Sequence, residues 1–314
     1  MSFMDDQRSF FSRQVVIREN LDQRARIIAA VRRFFHDQGF LEVETPVRIP
    51  APAPEAHIDA QAAGDWYLHP SPELCMKRLL AAGYGKIFQI CRCFRRGERG
   101  GRHVPEMTLL EWYAAGGDYH DMMVQCEQLI AFVAERLARG RRLDYQGCTV
   151  DLTLPWDRLT VDDAFRRFTG MSAAAALAQG CFDELMGLEI EPRLGRKRPL
   201  FLYDYPAACG ALARLKPGNP MVAERFELYM AGMELCNAFS ELTDPDEQRN
   251  RFENENRARE AAGKPVYPVA EPFLNALAAM PPAAGNALGV DRLVMLFCNT
   301  ASIDDVIAFT PEEL

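Results

Sequence analysis

The segment Ile87–Ala114, IFQICRCFRRGERGGRHVPEMTLLEWYA, decides how this chain is read. Its two ends, Ile87 to Phe94 and Met107 to Ala114, are strand-like, and the polar, glycine-bearing stretch Arg95 to Glu106 separates them. That is the pattern of two antiparallel strands joined by a long loop, and long loops inside compact domains usually carry function. Five arginines, Arg92, Arg95, Arg96, Arg99 and Arg102, fall within eleven positions, with His103 beside them. Guanidinium forks bind phosphate oxygens bidentately, and Gly97, Gly100 and Gly101 let the backbone approach a ligand. On the second strand Met107, Leu109, Glu111 and Tyr113 share one face, because side chains alternate with period two. A carboxylate and a phenol side by side make a seat for an ammonium group. A solvated basic loop and an edge strand with its polar face in water are the alternative readings.

Working outward, Leu21, Ala25, Ile28, Val31 and Phe35 recur at helical spacing, and Gly39 closes that helix. Phe40 to Glu44 alternates apolar and acidic residues, and Thr45-Pro46 ends it as a strand. Residues 50 to 65 read as a loop, Trp66 to His69 as a short strand, and Pro72 to Ala82 as a helix. Beyond the central segment, helices are expected over Asp118 to Arg139, between Val161 and Gly187, and over Asp244 to Ala262. Strands are expected at Phe201 to Tyr205, Arg225 to Ala231 and Glu234 to Ser240, with Gly232 at a turn or bulge. Ala287 to Cys298 passes from a strand into an apolar helix. Glu227, Glu234 and Glu241 sit on segments apolar enough to be interior, and buried acids need partners. Magnesium on nucleotide phosphates, a substrate amine, or ion pairs with the arginine loop would each serve.

The chain of 314 residues carries 36 Lys plus Arg against 44 Asp plus Glu, a net charge of -8. That balance disfavours a whole-surface nucleic-acid footprint, so a polyanion must bind at a local cluster. The nine cysteines lack CxxC spacing and are expected to be reduced, mostly buried thiols. The charged start MSFMDDQRSFFSRQ has no apolar signal core, and no apolar run approaches the roughly 20 residues that span a bilayer, so a cytoplasmic enzyme is expected.

Three stretches together resemble the motifs of class II aminoacyl-tRNA synthetases, in that family's order. Gly39-Phe40-Leu41-Glu42-Val43-Glu44-Thr45-Pro46 is similar to motif 1, Phe94-Arg95 through Pro105-Glu106 and Glu111 to motif 2, and Gly289-Val290-Asp291-Arg292-Leu293 to motif 3. Ser71-Pro72-Glu73, Leu110-Glu111-Trp112-Tyr113 and Asn237-Ala238-Phe239-Ser240-Glu241 resemble the lysyl subgroup. Too little chain precedes motif 1 for the anticodon-binding domain of lysyl-tRNA synthetases. The chain is thus similar to their truncated paralogues, the elongation factor P (R)-β-lysine ligases. Lysyl-tRNA synthetases have glycine where Ala287 stands, which implies a reshaped pocket suited to a β-amino acid. Gly97, Val104, Met107 and Ala238 also depart from the lysyl pattern, and Glu98 is the carboxylate nearest to Gly97.

The resemblance implies an α+β class II synthetase fold, a mainly antiparallel β-sheet flanked by helices. It implies one catalytic domain over residues 1–314, with a tail over 1–19 and no anticodon-binding domain. Arg95 would bind the α-phosphate of ATP and Arg292 the γ-phosphate, with Glu98, Arg102, His103, Met107, Glu234 and Gly289 completing the nucleotide site. Glu227 and Glu234 would hold Mg2+. Glu111, Tyr113 and Glu241 would grip the distal ammonium of a lysine-like substrate, Ser71, Glu73 and Asn237 its other end, and Phe239 and Ala287 would line the pocket. The implied reaction is formation of an adenylate and transfer to a lysine of elongation factor P, with tRNA disfavoured as acceptor. Motif 1, roughly residues 24 to 46, implies a homodimer. A minimal lysyl-tRNA synthetase and a non-catalytic amino-acid sensor are the rival readings.

Overall fold

The structure is a computed structural model and describes residues 13–314. The expected tail therefore lies outside the described residues up to residue 12. From residue 13 the chain is already helical, which shortens that tail: residues 13–16 lead into α1 (Arg18–Asp37). The buried stripe of α1 is Ile27, Ala30, Val31, Phe34 and Phe35, while Ala25 is exposed. Gly39, at φ +76°, then turns the chain into the sheet.

The strands are β1 (Leu41–Glu42), β2 (Arg48–Ile49), β3 (Gln61–Ala63), β4 (Trp66–Leu68), β5 (Lys86–Phe94), β6 (Glu106–Ala115), β7 (Arg142–Tyr145), β8 (Cys148–Asp151), β9 (Asp157–Thr160), β10 (Leu200–Pro206), β11 (Leu215–Lys216), β12 (Asn219–Met230), β13 (Met233–Ser240) and β14 (Ala283–Gly289). The other helices are α2 (Glu73–Ala81), α3 (Tyr119–Arg136), α4 (Val161–Thr169), α5 (Ala173–Ala178), α6 (Phe182–Leu185), α7 (Pro245–Ala261), α8 (Glu271–Leu277) and α9 (Val290–Cys298). Nine strands form the main sheet in the order β1-β5-β6-β14-β13-β12-β10-β9, with β11 joined to β12. Its pairs are antiparallel except β1–β5 and β10–β9 at the two edges. The architecture is the expected α+β arrangement. At the β12–β13 turn Ala231 and Gly232 both have positive φ, 53° and 74°, which suits a tight two-residue hairpin.

Alternation along β6 explains the layering. Trp112 points into the largest apolar cluster, where it packs on Phe35 of α1 with ring centroids 5.3 Å apart, and α3 and α9 complete that layer. Burying a large apolar side chain contributes about 1.5–3 kcal/mol, so this layer anchors the sheet. Glu111 and Tyr113 consequently face the other side. There a second cluster gathers around α2 and α8, and a third lies under α4, α5 and α6. All nine cysteines are free, but only Cys93, Cys126 and Cys236 are buried, so the thiols are more accessible than expected. Among the described residues, no helix is long and apolar enough to cross a membrane.

Candidate active site

One line of register crosses five strands: Gln89, Glu111, Ala287, Asn237 and Glu227 are successive partners from β5 to β12. Two residues along lies a second line, Ile87, Tyr113, Gly285, Phe239 and Arg225. Because side chains alternate, both lines present the same face. A cavity of about 700 Å³ opens over that face. It is lined by Ser71, Glu73, Arg95, Glu98, Arg102, His103, Met107, Glu111, Tyr113, Glu227, Glu234, Asn237, Phe239, Ala287, Gly289 and Arg292. The structure thus brings together every predicted site residue but one.

The exception is Glu241, which lies beneath the cavity instead of lining it. Gly285 explains the layering: a Cβ there would come within 2.3 Å of Tyr113 Cε1 and 2.4 Å of Glu241 Oε1. Lys77 Nζ lies 2.5 Å from Glu241 Oε2 and 2.5 Å from Glu73 Oε1, and it sits over the Phe239 ring. Burial alone would lower the Lys77 pKa, but the carboxylates of Glu241 and Glu73 overturn this and leave it above its ordinary value. Lys77 is therefore an internal cation. Sequence reasoning passed over it because it sits on a helix among arginine and leucine.

Glu111 differs from these acids. Its Oε1 accepts from Ser71 Oγ at 2.6 Å and its Oε2 from Tyr113 OH at 2.8 Å, both uncharged donors. Burial, with Glu73 nearby, pushes its pKa up to about 8 against those two hydrogen bonds. The Ser71 hydroxyl also accepts from the backbone N–H of Glu73 at 3.0 Å, which fixes the start of α2 against β6. A carboxylate this deep ionises readily only beside a cation.

The opposite end of the cavity carries the guanidinium groups. Arg292, in the first turn of α9, donates to the Glu234 backbone oxygen at 2.9 Å and its Oε2 at 3.1 Å, and meets His103 Nε2 at 2.5 Å. Arg102 donates to the Gly232 oxygen at 3.0 Å, and Arg95 lies 3.8 Å from Glu98 with its buried Nε unpartnered. The preceding residue of motif 3, Asp291, holds the frame of the site: it accepts from Arg24 at 2.6 Å and from the Thr108 N–H at 2.7 Å, locking α1 and β6 to α9. The arginine loop itself is split. Arg99 turns outward to Asp304 and Glu312, each at 2.8 Å, and Arg92 lies 3.7 Å from Glu106, so neither joins the cavity cluster.

Glu227 accepts from Tyr205 at 2.5 Å, Tyr229 at 2.7 Å and Arg225 at 2.6 Å. Its pKa is raised by burial, against the pull of Arg225. Burial also works against Glu234, but the Arg292 guanidinium holds it below the usual carboxylate range. Three further acids face the same space. Glu191 is raised by burial and by Glu227 and Glu234, and Glu55 is pushed up to about 7 by burial and Glu73. Glu255 accepts from the Ala56 N–H at 2.7 Å and so holds the 50–65 loop over the cavity. That loop, Arg225, Tyr205 and Glu191 were not singled out in the sequence. Arg225 was findable, since it lies two residues from Glu227 on the same strand face.

The combination is chemically specific: guanidinium groups and acids at one end, a buried acid hydrogen-bonded to uncharged donors at the other, and a small-residue strand between them. The family described as tRNA synthetases class II (D, K and N) matches residues 4–313. The chain is 45% identical over 309 residues to the elongation factor P–(R)-β-lysine ligase of Erwinia tasmaniensis, covering 93% of this chain and 94% of that protein. It is 43% identical to the ligase of the same name from Pectobacterium carotovorum, covering 93% and 95%. By motif order, sheet topology and near full-length similarity, the chain belongs to the class II tRNA synthetase family.

Proposed function

We propose that the protein is an ATP-dependent ligase that activates (R)-β-lysine, or lysine, as its adenylate and transfers it to a lysine side chain of elongation factor P. The observation that carries this reading is Glu111, a buried carboxylate with two neutral donors and, among the described residues, no cation bonded to it. Glu73, Glu111 and Glu241 bring three carboxylates against the single ammonium of Lys77. Burial pushes Glu241, like Glu111, up to about 8, so an ammonium group that favours the ionised carboxylates is well held there. A site of this kind rejects an analogue lacking the amine, because a buried charge would be left unpaired.

In the first step the substrate carboxylate attacks the α-phosphorus and pyrophosphate leaves. Arg95, with its unpartnered Nε, supports the charge developing on the α-phosphate, and Arg292 with His103 and Arg102 steadies the tail. Catalysis here is positioning and charge screening. Glu227 and Glu234 fit a magnesium ion, since Mg2+ takes one or two carboxylates and keeps waters and phosphate oxygens. Glu234 turns a 35% exposed side chain to the cavity, and Glu227 retains one lone-pair direction beyond its three donors. The ion would neutralise charge on the triphosphate. In the second step the acceptor amine attacks the acyl carbonyl and AMP leaves.

The chain, residues 1–314, acts as one catalytic domain in this reading, and the protein works in the cytoplasm as a homodimer built on the motif 1 segment. Pyrophosphate exchange driven by a panel of lysine isomers, followed by transfer to elongation factor P and to tRNA, tests it. Exchange with (R)-β-lysine and labelling of elongation factor P are expected. Robust tRNA charging with the factor unmodified would overturn the assignment, and absence of exchange with every isomer would favour a sensor.

A further inference from the structure

Three side chains that the proposed reaction does not use converge beside the ammonium seat. His69, Cys91 and Cys93 each offer a ligand atom, all within 4.8 Å of one another. The two sulfurs lie 3.7 Å apart, and Cys93 Sγ lies 3.9 Å from His69 Nε2. We propose that this cluster is a binding site for a thiophilic divalent metal ion of the zinc class, held by two thiolates and one imidazole with a fourth position open. It is separate from the acids proposed for magnesium.

The spacing separates this reading from a disulfide. Two Zn–S bonds of about 2.3 Å meeting at the tetrahedral angle put the sulfurs about 3.7 to 3.8 Å apart. The observed separation already matches, so a metal needs no movement of β5. A disulfide would need Cβ atoms about 3.5–4.5 Å apart and Cα atoms no more than about 6.8 Å apart. Alternate residues of one strand are about 6.6–6.8 Å apart at Cα, at the far end of that range, and their side chains run roughly parallel, so the Cβ atoms would have to be drawn together for a bridge to close.

His69 supplies an independent observation. It is only 1% exposed, and its Nε2 lies 2.8 Å from the Arg92 carbonyl oxygen. Nε2 is also the ring atom that lies 3.9 Å from Cys93 Sγ, so an ion that takes its lone pair displaces the contact with Arg92 and puts the ring proton on Nδ1, a buried atom with no partner. Binding releases the protons of both thiols to solvent and exchanges water on the ion for sulfur and nitrogen. Cys91 is half-buried, which gives an ion a way in. The borderline-soft donor set selects zinc over magnesium or calcium.

The test is a binding measurement on the full chain, with cobalt(II) alone as the spectroscopic probe and zinc(II) alone as the competitor. Thiolate-to-cobalt charge-transfer absorption is expected to saturate at one equivalent and to vanish on adding zinc. Cys91→Ser and Cys93→Ser are each expected to weaken binding by about 100-fold or more while melting as cooperatively as the parent. Should either variant not fold, His69→Gln offers the same comparison through the nitrogen. No charge-transfer band at stoichiometric cobalt, or a band of full strength in the variants that fold, overturns the site. The readout needs no turnover, so it stands or falls apart from the ligase assignment.

Discussion

Ala287 stands in direct register with Glu111 on one side and Asn237 on the other, so its methyl group lies on the line joining the two expected ends of the substrate. A single methyl group in such a place shifts selectivity by about 1–3 kcal/mol. Ala287→Gly is therefore expected to move the ratio of kcat/KM for (R)-β-lysine over α-lysine toward α-lysine by about tenfold. Pyrophosphate exchange with both substrates measures it. An unchanged ratio would remove Ala287 as the determinant.

Arg292 is bonded to groups at the cavity rim and to no core residue, so Arg292→Ala should spare the fold. Loss of a preorganised donor to developing charge costs about 10²–10³ in rate. Adenylate formation is expected to fall at least that far, with the melting temperature within a few degrees of the parent. Turnover at the parental rate would refute the phosphate assignment. A collapse of the melting temperature would instead make Arg292 structural through Glu234 and His103.

The parts of this site legible in the sequence are those with period two. Glu111 and Tyr113, or Asn237 and Phe239 with Ala287 opposite, need only strand alternation and a motif order to fall on one wall. Tyr205 escaped because a bulge at Asp204, φ +60°, breaks the alternation of β10 just before it. Glu55 arrives on a proline- and alanine-rich loop that has no period to read. Arg99 looked equivalent to Arg95 until the carboxyl-terminal acids Asp304 and Glu312, about two hundred residues away in sequence, claimed it. Long-range ion pairs leave no local signature. Lys77 is the same lesson reversed, an apparent surface lysine whose partners come from its own helix and from Glu241, the residue that follows β13.

Lys77→Met tests that internal cation. Removing one partner of a buried ion pair leaves uncompensated charge and typically costs about 3–5 kcal/mol. Urea unfolding at pH 7 is expected to show a loss of that order. Burial pushes the Glu241 pKa up to about 8 against the pull of Lys77, so the deficit should grow as pH rises through 8 and that carboxyl ionises. A deficit that stays the same from pH 6 to 9 would mean that Glu241 is not the group the ammonium serves.

The pKa of about 8 at Glu111 makes a prediction with a fixed sign. In the empty protein this carboxyl holds its proton well above the ordinary 4.5, so the folded state binds more protons than the unfolded state between those values. Its contribution to stability is therefore full below about 4.5 and is lost as pH rises through 8. Substrate reverses the preference, because its ammonium group favours the ionised carboxylate and binding below pH 8 must expel a proton. KM for (R)-β-lysine is expected to fall by up to about tenfold per unit as pH rises from 6 toward 8. Substrate-induced thermal stabilisation should grow over the same interval. Glu111→Gln should weaken substrate binding and flatten both trends; if the variant keeps the parental slope, the titrating group lies elsewhere, with Glu55 at the cavity mouth the first to examine.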